Sequence, residues 1–175
     1  RAKILHAVPD SKLLLKNNGI DVEPNRSRIL SMFSEAGIPP SRLILEGKST
    51  REEHLACYQR IDIALSPFPY NGGTTSVEGL WMGVPVITLR GDHFVSHVSE
   101  SIVHNAGLAE WVAADEDEYI AKGLAFASDL NALSILRKGL RENVLRQPLF
   151  DAERFACYFK EAMLAMRKIL AKSER

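Results

Sequence analysis

With 175 residues, 46% of them hydrophobic and 25% charged, the chain has the length and composition of one globular domain with a well-buried core. Lys plus Arg and Asp plus Glu each number 22, which excludes a general electrostatic field for nucleic acid or an anionic membrane; any anionic ligand must be held by local groups. Cys57 and Cys157 are too few and too far apart for a disulfide framework or a zinc-type cluster, and no apolar run nears the roughly 20 residues that span a bilayer, so a reduced, cytoplasmic setting is expected.

The opening Arg1-Ala2-Lys3-Ile4-Leu5 has no signal-peptide anatomy and no initiator Met, which points to a segment of a longer protein. From there, short β-rich runs alternate with helical patterns. Strands are expected at Lys12–Leu15, Arg42–Leu45, Asp62–Leu65 and Val84–Leu89, and helices at Arg28–Ala36, Arg51–Arg60 and Val77–Met82. That order is βαβαβαβ, which implies an α/β fold: a Rossmann-like parallel sheet with right-handed crossovers and helices on both faces. Gly37 with Pro39-Pro40, Pro67 with Pro69, and Gly83 before Pro85 punctuate the pattern.

From Val95 onward the chain reads as mainly helical, with a short strand at Glu110-Trp111-Val112. The final helix, 151–172, is opened by Asp151 as N-cap and carries Phe155, Phe159, Met163, Met166 and Leu170 in one apolar stripe. That stripe either packs on its own sheet or docks onto a partner domain. The whole, 1–175, reads as a single domain without repeats.

In a doubly wound sheet, ligands bind beyond the carboxyl ends of the strands, where helix N-termini present free N–H groups. Three features converge on that edge. Pro69-Tyr70-Asn71-Gly72-Gly73-Thr74-Thr75-Ser76-Val77-Glu78 leads from a strand into a helix, and its paired glycines and the N–H groups of Gly73, Thr74 and Thr75 can cradle a diphosphate. The same run also reads as a turn followed by a Thr75-x-x-Glu78 capping box. Ser49-Thr50-Arg51-Glu52-Glu53-His54 places an imidazole and a guanidinium on a first helical turn, where the imidazole can stack on a base and Arg51 can contact ribose or phosphate; Thr50-x-x-Glu53 is alternatively a capping box on a solvated turn. Glu78 can accept from both ribose hydroxyls or close the cap, but not easily both. His93 and His97 lack a third ligand at suitable spacing and are assigned to loop and surface, without a metal. His6, His104, Trp81 and Trp111 read as structural.

The run Asp62–Thr88, with its Asn71-Gly72-Gly73-Thr74-Thr75 core and Trp81-Met82-Gly83-Val84-Pro85, resembles the O-linked N-acetylglucosaminyltransferase family and its bacterial relatives with N-terminal tetratricopeptide repeats. The resemblance continues through Arg51-Glu52-Glu53-His54 and ends near Pro148-Leu149-Phe150-Asp151. It implies the C-terminal nucleotide-binding domain of a GT-B glycosyltransferase, in which two Rossmann-like domains face a cleft. The implied activity of the parent enzyme is transfer of N-acetylglucosamine from UDP-GlcNAc to protein Ser/Thr.

At the matching positions, Ser49, Thr50 and Arg51 border uridine and ribose, His54 packs on the uracil, and Leu55, Ala56 and Cys57 border the base. Gly73, Thr74 and Thr75 bind the diphosphate and Glu78 holds the ribose. Gly73 stands where animal members carry His, Cys57 where they carry Arg, and Glu78 where they carry Asp. The family's diphosphate-binding Lys falls just before Arg1 and its acceptor-side catalytic His in the N-terminal half, so no catalytic residue is expected in this fragment, which by itself is expected to be inactive. No cofactor or metal is implied; the partners are the UDP-sugar and a protein acceptor reached through the missing N-terminal region, which the helix at 151–172 is placed to contact. The rival readings are another GT-B enzyme such as a UDP-sugar epimerase, and a non-catalytic nucleotide-binding module of a repeat scaffold.

Overall fold

The computed structural model describes residues 1–173. Among the described residues, five short strands and eight α-helices alternate as far as α6, beginning with α1 (Ala2–Ala7), β1 (Leu13–Lys16), α2 (Asn25–Glu35) and β2 (Leu43–Glu46). They continue with α3 (Arg51–Ala56), β3 (Ala64–Leu65), α4 (Thr74–Trp81), β4 (Val86–Leu89), α5 (Phe94–Asn105), β5 (Val112–Ala113), α6 (Glu116–Ser128), α7 (Leu130–Leu145) and α8 (Ala152–Ser173).

All strand pairing among these residues is parallel, as the βα alternation requires. The strands form two hydrogen-bonded groups rather than one continuous ladder: β1 with β2, in register from Leu13 opposite Leu43 to Lys16 opposite Glu46, and β3-β4-β5 with β4 central. Leu65 packs against both the larger core around Leu80, Ile87, Val103 and Trp111 and the smaller one of Leu5, Leu13 and Ile38, joining the two groups through side chains. Trp111 is fully buried and stacks on Phe126 at 3.7 Å.

Helix ends follow local chemistry. Beyond α2 and α4, Gly37 and Gly83 adopt φ of +76°, and the next residues, Ile38 and Val84, donate back to Phe33 and Gly79 at 2.8 Å. These are Schellman closures whose following apolar residue is buried, so each helix stop also sets the start of a core contact.

Several elements differ from the sequence expectation. The helix expected over Arg51–Arg60 is α-helical only to Ala56 and tightens to 3-10 over Cys57–Arg60. The strand expected at Glu110–Val112 is a 3-10 turn over Ala109–Trp111 followed by β5. The helix α1, absent from the expected order, precedes β1 and buries Ile4 and Leu5. The stripe of α8 does not pack on its own sheet: Phe155, Phe159, Met166 and Leu170 are all more than half exposed, although Asp151 caps the helix as expected by accepting from the Arg154 N–H at 2.9 Å. Trp81 lies at the core rim, 37% exposed, stacked under the Arg141 guanidinium at 4.6 Å.

Candidate functional site

The carboxyl ends of β3 and β4 open onto the loop 66–73 and the N-terminus of α4. Asn71, fully buried, anchors this loop: its backbone N–H reaches Val95 O, and its Nδ2 donates to Thr88 Oγ1, Leu89 O and Ser96 O, tying the loop to β4 and α5. Its Oδ1 has no hydrogen-bond partner among the described residues. Gly72 is pinned on both sides, its N–H on Ser66 Oγ and its carbonyl on the Ser99 hydroxyl, while Ser99 also meets Ser66 and Ser76 at 2.9 and 3.0 Å. A Cβ at Gly72 would lie 2.7 Å from Ser76 Oγ and 3.0 Å from Thr75 Oγ1, so a larger residue here would displace the Ser76 hydroxyl from its bond to Ser99.

Gly73 is the N-cap of α4, and Thr74 and Thr75 are exposed in its first turn. With no preceding turn to bind them, the first N–H groups of α4 point at the edge beside the positive end of the helix dipole. A helix terminus built in this way has the chemistry to cradle an anion.

The charged wall of the cradle comes from α3. Thr50 forms a complete capping box with Glu53: the Thr50 side chain accepts the Glu53 N–H at 3.3 Å and the Glu53 carboxylate accepts the Thr50 N–H at 3.0 Å. That box fixes the start of α3 and so the positions of Arg51 and His54. Both converge on Glu78: Arg51 Nη1 donates to Oε1 at 2.8 Å and His54 Nε2 lies 3.2 Å from Oε2.

The Thr75-x-x-Glu78 capping box does not form. Thr75 is already inside the helix, two residues past the Gly73 cap, and the Glu78 carboxylate is turned across to α3. Glu78 is only 8% exposed, and a buried carboxylate needs cationic or N–H partners, which α3 supplies.

Tyr58 completes the wall. Its hydroxyl donates to Thr75 O at 3.1 Å and its ring meets His54 edge-on at 5.8 Å. Burial, followed by the negative charge of Glu78, pushes the phenol up to about 12, which keeps the donor proton in place through neutral pH.

Of the residues singled out from sequence, Arg51, His54 and Glu78 meet directly, Thr50 positions them, and Gly73, Thr74 and Thr75 lie on the adjoining helix terminus. Ser49 is half-buried at the head of the turn, its hydroxyl on Thr50 O at 3.3 Å. Leu55 is half-buried and Ala56 exposed, whereas Cys57 is buried with Tyr58 and Val84, so its thiol serves packing; burial raises its pKa. His6 bonds Ala36 O at 2.7 Å, His104 is exposed, and His97 pairs with Glu100; no group of three or more metal-ligating residues occurs among the described residues.

Sequence reading assigned no role to Asn71, Tyr58 or the serines 66, 76 and 99. The available signal was Ser96 and Ser99, three apart on the apolar face of an amphipathic helix, since hydroxyls at core positions imply a buried hydrogen-bond network.

A parallel α/β sheet with a glycine-led helix N-terminus at its carboxyl edge defines the Rossmann-like class. Within that class the chain belongs to glycosyl transferase family 41, whose family model matches residues 1–159. It is 39% identical over 155 residues to the Solanum lycopersicum protein named "Probable UDP-N-acetylglucosamine–peptide N-acetylglucosaminyltransferase SPINDLY", covering 88% of this chain and 17% of that one. It is 30% identical over 162 residues to a Caenorhabditis elegans UDP-N-acetylglucosamine–peptide N-acetylglucosaminyltransferase, covering 93% of this chain and 14% of that one. A mutant of the Thermobaculum terrenum O-GlcNAc transferase superposes with a TM-score of 0.93 at 35% identity, over 99% of this chain and 34% of that chain. The chain therefore spans less than one fifth of these curated relatives and about a third of the solved enzyme.

Proposed function

We propose that this chain is the donor-binding part of a GT-B glycosyltransferase that moves N-acetylglucosamine from UDP-GlcNAc to Ser or Thr of a protein. The observation that carries the reading is the buried Glu78 carboxylate, held by Arg51 and His54 immediately beside the cradle of Gly73, Thr74 and Thr75. A carboxylate oriented by two partners, each taking one oxygen, keeps lone pairs for a ribose diol. The imidazole beside it offers a face to a base, and Ser49, with the stretch Leu55 to Cys57, borders that base. The names of the relatives support the donor and the acceptor class.

Transfer joins the acceptor hydroxyl oxygen to C1 of the sugar as the C1–O bond to the diphosphate breaks. The electron pair passes to the leaving UDP and the hydroxyl proton to a base outside this chain. The part played here is to bind the donor and to stabilise the charge growing on the diphosphate through helix-terminal N–H groups and guanidinium groups. No metal enters this reading: the Glu78 carboxylate is already faced by the Arg51 guanidinium and the His54 imidazole, and Glu53 serves its capping box.

The exposed stripe of α8 is the face on which the acceptor-side half of the parent enzyme docks, the relatives and the solved neighbour carrying most of their length outside the region matched. No described helix is long and apolar enough to cross a membrane, and a reduced, cytoplasmic setting belongs to this reading together with the two free cysteines. Calorimetric titration with UDP and UDP-GlcNAc, with and without EDTA, tests the assignment. Weak, chelator-insensitive binding of both ligands is expected; no binding, or binding that requires Mg²⁺ or Mn²⁺, contradicts it.

A further inference from the structure

A second cluster of the same composition lies on the opposite flank of the cradle. Glu100, on α5, is 7% exposed, and its carboxylate is held by Arg90 Nε at 2.9 Å and His97 Nδ1 at 2.6 Å. Arg90 follows the last residue of β4, and its backbone N–H continues the strand pairing to Ala113 O at 2.8 Å. Its start is therefore rigid, whereas its side chain is 62% exposed.

Three observations turn this cluster toward the cradle. Asn71, immediately before the paired glycines, donates to Leu89 O, the carbonyl joined to the Arg90 nitrogen. The helix that carries Glu100 also supplies Val95, Ser96 and Ser99, which bind Asn71 and Gly72 directly. Among the described residues, a Cβ at Gly73 would come into van der Waals range of Val98 of that same helix, at 3.8 Å, so Gly73 faces α5.

An exposed ion pair contributes only about 0–1 kcal/mol to stability, and a buried carboxylate is costly unless partnered. Burying Glu100 under a surface arginine therefore gains position more than stability: it fixes where the guanidinium stands.

The donor-site reading puts base and ribose on the α3 side, against His54 and Glu78, and the diphosphate across the cradle. The far end of the ligand then lies on the α5 side. Resting on that reading, we propose that Arg90, seated on Glu100, binds the sugar-proximal β-phosphate of the nucleoside diphosphate, with His97 as a second support for the Glu100 carboxylate. Arg90 contacts ligand; Glu100 is a positioning residue that acts through it.

UDP and UMP separate this role from a general one, because UMP lacks the β-phosphate. Calorimetry on the chain should show Arg90→Gln weakening UDP about tenfold, the 1.4 kcal/mol of one charge-assisted contact, while UMP affinity stays unchanged. Glu100→Gln should weaken UDP in the same selective way but less, since the guanidinium remains and only its seat is loosened. If Glu100→Gln fails to fold, Arg90→Gln decides alone, its side chain being largely in water. Equal weakening of UDP and UMP, or no change in either, overturns the role of Arg90 and leaves the donor site standing. Failure of the wild-type chain to bind UDP overturns the donor site and this role together.

Discussion

The two Arg–His–Glu clusters that flank the cradle are alike in composition and different in construction. In the first, Glu78 sits on the cradle's own helix while Arg51 and His54 reach it from α3, 27 and 24 residues away in sequence. In the second, His97 and Glu100 are three apart on one helix and Arg90 comes from the strand end just before it. In both, the carboxylate is buried, at 8% and 7% exposure, and the arginine side chain is in water, at 67% and 62%. The carboxylates thus depend on their cations for partners, whereas the cations depend on the carboxylates for position. The first cluster binds two elements together and presents a carboxylate; the second is local and presents a cation.

Asn71 ties the loop before Gly73 to β4 and α5, the side of the second cluster, and its loss should have the largest effect. Asn71→Ala leaves Ser96 O, Leu89 O and Thr88 Oγ1 without their donor in a buried setting, so stability in urea should fall by about 2–3 kcal/mol. UDP binding should weaken with it. A folded Asn71→Ala protein of wild-type stability would show that the loop holds without this tie.

Glu78 separates the first cluster from the second. Glu78→Gln and Glu78→Ala should each weaken UDP about tenfold or more, roughly 1.4 kcal/mol, with the thermal midpoint of Glu78→Gln nearly level, since no helix cap is lost. Because the ribose is common to UDP and UMP, both ligands should weaken equally, in contrast to Arg90→Gln. A lower midpoint with wild-type affinity would return Glu78 to a purely structural role.

Thr50 sets the start of α3 through its hydroxyl oxygen, which accepts the Glu53 N–H. Thr50→Ala should lower stability by about 1 kcal/mol while shifting UDP affinity only through slack in Arg51 and His54. Thermal melts beside calorimetry measure both; a collapse of affinity at an unchanged midpoint would move the Thr50 hydroxyl into the site.

The smallest effect is one of pH. The folded Tyr58 phenol titrates at about 12, above the usual 10.0, so the native state holds its proton more tightly than the unfolded chain. Its contribution to stability is complete below about pH 10 and is lost as pH rises through about 12. Tyr58→Phe should flatten part of that alkaline decline, and Tyr119, raised by burial, should account for some of the remainder. Identical alkaline unfolding profiles for Tyr58→Phe and wild type would exclude a coupled phenol at the cradle wall.

The element order, the Gly37 and Gly83 stops and the Thr50 and Asp151 caps were legible because each is written in a few adjacent residues. So was the passage of the glycine–threonine run into a helix N-terminus. The choice between the ribose and capping readings of Glu78 was not, because Thr75-x-x-Glu78 satisfies a local rule while the helix starts two residues before that rule would place it, with Gly73 as N-cap. Arg51 and His54 meet Glu78 only through the packing of α3 against α4, which periodicity does not encode. The six-residue α1 escaped for want of a side-chain cap or an acidic first turn. The stripe of α8 was legible as an apolar face, but which surface it meets is a property of tertiary packing.

The most direct test of the donor site is a map of backbone amide shifts as UDP is added to the chain. Shifts should concentrate at Ser49–His54 and Gly72–Glu78, with a second group at Arg90 when UDP replaces UMP. Saturable shifts that spare both Ser49–His54 and Gly72–Glu78 would contradict the assignment of this edge as the donor site.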